Sequence, residues 1–314
     1  MPEVAAVKTS VSEAVVPEVA APRRPNIIAR FFRTLRLPVN DPFAVAGLVI
    51  YLIFIATAIF ADSIATHDPT EILYTPSYDL AADLRPGQDG FLMGTTSLGR
   101  DVFSQLIHGS RSALLIGVTA AFMVALIGSI IGLVAGYFGR WVDAVLMRLA
   151  DIAFGIPFLP FVIVLAAFLK PSIWNVVLAM ALVLWRDTAR VIRSQVLTLR
   201  TRGYVEAARV AGSSDFRIIL RHIAPNILPL SFLYGSIAIG WAILTEASIS
   251  FLGFGDPDSI SWGYMLQDAF ASQALAKQAY YWFVPPGVCI ILVVSAGFFI
   301  TRGYENILFP KLNR

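Results

Sequence analysis

Few side chains in this sequence of 314 residues have the types and spacing that catalysis or metal binding requires. The histidines, His67, His108 and His222, lie far apart, and the single cysteine, Cys289, lies inside an apolar run. These patterns favour neither a metal site nor an internal disulfide. The sequence contains no Gly-x-x-x-x-Gly-Lys-Ser/Thr loop, no His-Glu-x-x-His and no Gly-x-Ser-x-Gly. We therefore expect no catalytic residue, metal or cofactor on this chain.

A polar loop, residues 203–226, is the segment best suited to contact another protein. Its first part, residues 204–211, is rich in alanine and predicts a short helix. Gly212 follows where the end of a helix favours a left-handed backbone, which glycine adopts without steric cost. Either Ser213 or Ser214 can cap a second helix. The loop therefore predicts a helix–turn–helix.

The second helix of this loop carries both charge and apolar surface. Asp215 in its first turn complements the helix dipole, and Arg217 and Arg221 lie on a different side from the apolar residues. These apolar residues are Phe216, Ile219, Leu220 and Ile223. Such surface indicates a docking element for a partner. An amphipathic loop on the bilayer surface, with its arginines near lipid phosphates, explains the pattern equally well.

The elements that must position this loop are membrane helices. The sequence is 57% hydrophobic and 14% charged, whereas soluble domains are roughly 25% charged. A membrane span needs about 20 mostly apolar residues. Six runs qualify, the fourth continuing through Val191: residues 43–61, 112–137, 149–169, 173–185, 227–252 and 282–300. We predict an all-α membrane protein with six transmembrane helices, in which prolines kink the third and fifth without breaking them.

The charged residues predict how the chain lies across the bilayer. Residues 186–222 contain eight arginines and three acids, whereas residues 62–90 contain six acids and one arginine. Because Lys and Arg are retained in the cytoplasm, we expect the first segment and both termini there. Basic residues at the cytoplasmic membrane face thus explain the net charge of +3. We expect no nucleic acid as a partner.

These expectations divide the chain into five parts. They are a partly disordered cytoplasmic tail (1–40), a first transmembrane helix (41–64), an extracytoplasmic segment (65–111), a five-helix core with a loop at 203–222 (112–302), and a cytoplasmic carboxyl tail (303–314).

Several motifs resemble one family of membrane proteins. Glu206, Ala207, Ala208 and Gly212 resemble the EAA loop of ABC-importer permeases, which forms the coupling helix that seats on the ATPase subunit. Further segments resemble the C-type subunit of the dipeptide/oligopeptide/nickel class. These segments are residues 94–104, 109–112, 136–143, 246–255 and 261–266.

This resemblance implies a type I ABC-importer permease fold with cytoplasmic coupling helices, in a bacterial inner membrane. It implies import of peptides or a related small solute. The implied partners are a distinct, related permease, two ATPases that hold ATP and Mg, and an extracytoplasmic solute-binding protein. The alternative is a self-sufficient secondary transporter or channel, but ion coupling requires ionisable residues near the midplane, and the middles of these spans are almost free of charge.

The resemblance also implies roles for residues of the loop. Glu206 would anchor it through a charge-assisted bond, Ala207 and Ala208 would permit close approach, and Gly212 would form the turn. Ser213, Asp215 and Arg217 would complete the contact with the ATPase.

Ionisable and small residues within the spans have separate interpretations. Glu246, with Ser250, either lines or gates the solute path or is an interfacial residue hydrogen-bonded to the adjacent loop. Gly128, Gly132 and Gly136 are spaced by four and predict a close approach of two helices.

A charged pair is also expected at the cytoplasmic boundary of the third span. Arg148 and Asp151 are three residues apart in the sequence, so one helix face would bring them together. We predict an ion pair between them.

Overall fold

The structure is a computed structural model that describes residues 41–169 and 172–308. The predicted amino-terminal tail, residues 1–40, and residues 309–314 lie outside the described residues. Helix α1 spans Pro42–Ile59 and begins where the carboxylate of Asp41 accepts a hydrogen bond of 2.9 Å from the backbone N–H of Phe43. The short helix α2, Ala61–Ile64, follows it. The next segment is irregular apart from a 3₁₀ turn, Gln88–Gly90, and two isolated β-bridges.

Helix α3 spans Val102–Phe138 and therefore starts ten residues before the predicted span. Asp101 caps its first turn by accepting from the backbone N–H of Ser104 at 3.0 Å. The polar residues that follow are helical because they pack inside the protein, where Ser104 and Gln105 are buried. The predicted extracytoplasmic segment thus contains the first turns of a long helix.

The third predicted span is two helices, not one kinked helix. Helix α4, Arg140–Gly155, and helix α5, Phe158–Phe168, are bent by 84° at the break between them. Ile156 is extended, with φ −85° and ψ 117°. The ring of Pro157 excludes the helical conformation from the residue before it, which explains why the helix stops here.

Helix α6, Ile173–Leu199, is longer than predicted. The charged second half of α6 is packed inside the protein, because Ile192 and Val196 are fully buried. Four described helical stretches are long and apolar enough to cross a membrane, and the bent α4–α5 pair makes a fifth if it is one span. These four stretches are Pro42–Ile59, Val102–Phe138, Asp215–Phe251 and Tyr280–Tyr304.

The polar loop and the helix after it form the next part of the fold. Helix α7 spans Gly203–Val210, and helix α8 spans Asp215–Ile218. A π-helical turn, Ile219–Ile223, joins α8 to helix α9, Ala224–Phe251. These three elements form one helical stretch of 37 residues.

Two helices complete the described chain. Helix α10 spans Trp262–Ala271, and helix α11 spans Tyr280–Leu308. The predicted carboxyl tail therefore begins inside a helix. The core is built around α3, which packs along α6 and α9, while α11 packs against α1 and α9.

The three predicted packing glycines lie where α3 meets α6. A Cβ atom at Gly128 would lie 2.7 Å from the carbonyl oxygen of Trp185, and one at Gly132 would lie 2.5 Å from that of Ala189. One at Gly136 would lie 2.7 Å from the Cβ atom of Val196. Only glycine allows the two backbones to come this close. The close helix contact that these glycines permit is therefore formed between α3 and α6 of this chain.

Candidate functional site

The loop that follows α6 has a defined backbone. Gly212 has a φ of +75°, in the left-handed region, and the N–H of Ser213 donates to the carbonyl of Ala208 at 3.1 Å. The left-handed glycine and this hydrogen bond terminate helix α7. The hydroxyl of Ser214 then caps α8 by accepting from the N–H of Arg217 at 3.4 Å. The turn between α7 and α8 therefore has a defined geometry.

One side of this helix–turn–helix is anchored in the protein. Val205 and Ile218 are fully buried. They belong to an apolar cluster with Tyr137 at the end of α3 and Ile192 and Val196 on α6. The buried side of the loop therefore packs against the ends of two long helices, α3 and α6.

The other side of the loop is exposed and apolar. Val210 is 90% exposed and Phe216 is 72% exposed, and Tyr204 and Leu220 of the same loop are also exposed. We call these four residues the coupling surface. The predicted apolar face of the second helix is therefore divided, because Ile219 and Ile223 are buried while Phe216 and Leu220 are not.

The remaining predicted residues of the loop surround the coupling surface. Glu206 is exposed, and its carboxylate accepts no hydrogen bond from the described part of the chain. Ala207 and Arg217 are exposed, whereas Ala208 and Ser213 are half-buried. The predicted anchoring bond of Glu206 thus has no donor within the described chain and stays a prediction.

Asp215 is the member of the loop that bonds to the helical core. Its carboxylate accepts a hydrogen bond of 2.5 Å from the hydroxyl of Tyr137. Nearby, the guanidinium of Arg200 donates to the carbonyl oxygen of Gly136 at 3.0 Å. These two bonds join the end of α3 to α8 and to the end of α6.

Two ion pairs that the sequence analysis missed tie α4 to α6. Arg193 forms two hydrogen bonds with the carboxylate of Asp143, one of them at 2.6 Å, and Arg190 donates to Asp151 at 2.5 Å. The predicted pair of Arg148 with Asp151 is wrong, because Asp151 pairs across to α6 instead. No periodic signal links these residues, since the partners are 39 and 50 positions apart.

Glu246 and Ser250 lie at the opposite end of α9 from the coupling surface. Glu246 is 4% exposed and Ser250 is 6% exposed, and the serine hydroxyl donates to the carboxylate at 2.6 Å. Their burial inside the chain favours a structural role over lining an open path. The role in solute passage stays a prediction.

Two neighbouring motif segments, residues 94–104 and 109–112, meet the distant segment 261–266 at this end. Arg100 donates to the hydroxyl of Tyr264 at 3.2 Å, and the indole N–H of Trp262 donates to the carbonyl of Leu106 at 3.0 Å. A Cβ atom at Gly109 would lie 2.6 Å from the Trp262 ring. The start of α3 and helix α10 are therefore packed as one unit.

Comparison with known proteins gives two family matches. Residues 128–314 match the family described as binding-protein-dependent transport system inner membrane component. Residues 31–86 match the amino-terminal transmembrane domain of oligopeptide transport permease C.

Whole-length relatives agree with these matches. The chain is 35% identical over 277 residues to the oligopeptide transport system permease protein OppC of Bacillus subtilis, covering 88% of each chain. It is 34% identical over 279 residues to the dipeptide transport system permease protein DppC of Alkalihalophilus pseudofirmus, covering 87% of each. It is also 34% identical over 271 residues to the glutathione transport system permease protein GsiD of Pectobacterium atrosepticum, covering 86% of this chain and 87% of that one.

Proposed function

This chain belongs to the family of binding-protein-dependent transport system inner membrane components, and we propose that the coupling surface is where a separate ATPase drives it. The family resemblance found in the sequence is thereby confirmed. The chain is a multi-pass inner membrane protein and a permease subunit of an ABC importer. Peptides or a related small solute are the proposed cargo, since the names of its relatives specify oligopeptides, dipeptides and glutathione.

We propose six membrane spans in a type I permease fold. The α4–α5 pair counts as one span, and α6 is the additional one. Helix α6 has 27 residues, about 40 Å at 1.5 Å per residue, which is enough to cross a bilayer. Its polar residues need not face lipid, because it packs along α3 and pairs with α4. With six spans, both termini and the coupling surface lie in the cytoplasm, as the arginine distribution predicts.

The single observation that carries the coupling proposal is the exposure of Val210 and Phe216 on an otherwise anchored loop. Isolated apolar side chains at a surface need no explanation, but a cluster on a rigid turn indicates an interface. Glu206 lies beside it as an unbonded carboxylate that a partner's donor can satisfy. Helix α8 continues through the π turn into α9, so force applied at the loop reaches the far end of α9.

The proposed cycle uses this connection. ATP binding draws two ATPases together, and the coupling loops of two permease subunits move with them. The permease opens outward and receives solute from a binding protein, and hydrolysis restores the inward-facing state. Because ATP binds one state better than the other, it shifts the equilibrium of the distant helices.

The proposed partners follow from what this chain lacks and what it resembles. We place ATP and Mg on the two ATPase chains, since this sequence has no phosphate-binding loop. The second permease subunit is proposed to be a distinct relative, and a solute-binding protein docks from outside. Lipid surrounds the remaining apolar helices.

A cross-linking experiment on the full complex tests the coupling proposal. Cys289, half-buried in α11, is replaced by serine, and a single cysteine is placed at Phe216. We expect this cysteine to cross-link to an ATPase chain to an extent that changes with nucleotide. Phe270→Cys is the matched control, since Phe270 is 76% exposed on α10. Equal reaction at both positions, or none at Phe216 in any nucleotide state, contradicts the proposal.

A further inference from the structure

A short hairpin lies near the end of α3 that is remote from the coupling surface. Tyr74 and Leu80 form an antiparallel bridge across it. The N–H of Tyr78 donates to the carbonyl of Thr75 at 2.9 Å and closes the turn. We call residues 73–81 the tyrosine hairpin.

The base of the tyrosine hairpin is fixed to the protein. The N–H of Ala81 donates to the carbonyl of Leu73 at 3.0 Å, and the N–H of Leu73 donates to the carbonyl of Gly99 at 2.9 Å. Ala81 is fully buried. Gly99 has a φ of +73°, and a Cβ atom there would lie 3.0 Å from the carbonyl oxygen of Leu73. Only glycine fits this close contact without strain, so the hairpin is mounted directly on the turn before α3.

The hairpin presents two tyrosine rings. Tyr78 is 91% exposed and Tyr74 is 63% exposed. Tyr78 has a φ of +64°, a left-handed conformation that residues other than glycine seldom adopt and that often occurs at functional sites. Tyrosine is enriched in protein interfaces, because its large ring gives contact area at a low cost in conformational entropy. A fixed mount lowers this cost further.

The length of α3 separates the tyrosine hairpin from the coupling surface. The hairpin packs on Gly99, just before α3, whereas Tyr137 in the last turn of α3 bonds to the loop that carries the coupling surface. The 37 residues of α3 extend about 55 Å, and the hydrocarbon layer is about 30 Å thick. With the coupling surface in the cytoplasm, the hairpin therefore lies on the outer side.

The hairpin also stands clear of the lipid. The apolar part of α3 begins after Arg111, whose guanidinium donates to the carboxylate of Asp62 at 2.7 Å. From Arg111 back to Val102, α3 extends about 14 Å farther outward. The headgroup layer adds only about 5–8 Å on each side of the hydrocarbon. The hairpin at the start of α3 thus reaches the aqueous space.

Charge indicates the kind of partner that fits this surface. Residues 71–80 contain Glu71 and Asp79, both exposed, and no basic residue. Ile72 and Leu80 add exposed apolar area. An acidic surface repels anionic lipid headgroups and attracts a protein that presents lysine or arginine. Aromatic and apolar contacts with a polar rim are typical of a protein interface.

We propose that the tyrosine hairpin is where this chain contacts the solute-binding protein. The inference rests on the proposed function, which requires such a partner on the outer side. The ring of Tyr78 would enter an apolar depression of that protein, and basic side chains around it would meet Glu71 and Asp79. Because the hairpin is mounted on the turn before α3, docking acts on the same helix that bonds to the coupling loop through Tyr137.

The test measures the ATPase rate of the full complex in lipid nanodiscs while purified solute-binding protein is titrated. Tyr78→Gly deletes the ring and keeps the turn, since glycine adopts a φ of +64° without strain. We expect the half-saturating concentration to rise about tenfold, with the basal and maximal rates unchanged. Tyr78→Phe should stay near the wild-type value. Asp79→Lys should also raise the half-saturating concentration and make it less sensitive to salt.

Asp89→Lys is the matched control, because Asp89 is an exposed acid of the same segment outside the hairpin. It should keep the wild-type half-saturating concentration. An unchanged concentration in Tyr78→Gly overturns the proposal and means that the hairpin contacts lipid or a second permease subunit. An equal rise in Asp89→Lys and Asp79→Lys also overturns it, since the charge of the whole segment would then act without the hairpin. A wild-type complex that the binding protein does not stimulate would contradict the proposed function as well.

Discussion

The hydroxyl of Tyr137 lies 2.5 Å from the carboxylate of Asp215. This bond spans the gap between the last turn of α3 and the first turn of α8, although the residues are 78 positions apart. A hydrogen bond to a charged group is stronger than one between neutral groups. The loop that carries the coupling surface is thus tied to the central helix of the fold.

Removing this hydroxyl should loosen the loop. Tyr137→Phe keeps the aromatic packing and deletes the bond, which is worth about 1.5–3 kcal/mol when one partner is charged. We expect ATPase stimulation by the solute-binding protein to fall several-fold, measured in reconstituted complexes. Asp215→Asn keeps an acceptor oxygen and should lose less. Full stimulation in Tyr137→Phe would show that the bond does not serve coupling.

The left-handed backbone of Gly212 predicts a graded response to substitution. A Cβ atom there would meet nothing within 4 Å, so any penalty in the free chain comes from the φ of +75°. Asparagine tolerates this conformation better than β-branched valine, for which it costs about 1–2 kcal/mol or more. We expect Gly212→Val to lose solute uptake and Gly212→Asn to keep most of it, at equal membrane abundance. Equal uptake by the two variants would show that solute uptake does not depend on the left-handed turn at Gly212.

The close contact of α3 with α6 predicts that Gly132 does not tolerate a methyl group. In Gly132→Ala the new Cβ would lie 2.5 Å from a backbone oxygen, and such overpacking costs about 1–3 kcal/mol. Thermal unfolding in detergent should show a lower midpoint. Gly287→Ala is the matched control, because it lies inside α11 and its Cβ would meet nothing within 4 Å. A midpoint that falls equally in both variants would argue against the close contact.

The ion pair of Arg193 with Asp143 should be measurable by a double-mutant cycle. Both side chains are partly buried, so the pair is screened less than an exposed one but more than a fully buried one. For Arg193→Gln, Asp143→Asn and the double variant, we expect a coupling energy of about 1–2 kcal/mol from unfolding midpoints. Additive effects would mean that the two charges do not interact.

Asp62 predicts an acid-sensitive component of stability. Hydrogen bonds from Arg111 and His108 lower the pKa of Asp62 below its usual value. Because the pKa is lower in the folded state, the ionised group stabilises the fold at neutral pH, and this stabilisation is lost as the pH falls below about 4. Unfolding midpoints between pH 5 and 3 should fall less steeply in Asp62→Asn than in the wild type. Asp79→Asn is the control and should keep the wild-type slope; an unchanged slope in Asp62→Asn would refute the prediction.

The sequence was sufficient to predict the features that depend on local rules. Long apolar runs predicted the helical membrane protein, and Gly212 predicted the turn that the structure has. Ser213 and Ser214 were the two candidates for the cap, and Ser214 forms it. Each of these depends on the preferences of a few adjacent residues.

The features that depend on distant partners could not be predicted in this way. Arg148 and Asp151 have suitable spacing for a pair, but Arg190 on another helix takes the carboxylate. Helix α6 continues to Leu199 because α3 covers its second half, which no feature of its own sequence indicates. The break before Pro157 is different, because a proline disfavours the helical conformation in the residue before it, so this local signal indicates the break that the structure has at Ile156.

The uninterrupted stretch from Asp215 to Phe251 has a mechanical consequence. Its 37 residues extend about 55 Å at 1.5 Å per residue, nearly twice the thickness of the hydrocarbon layer. A rod of that length works as a lever, so a tilt of about 5° at one tip sweeps the other through roughly 5 Å. A small displacement at the Asp215 end, next to the coupling surface, would thereby become a larger movement at the Phe251 end.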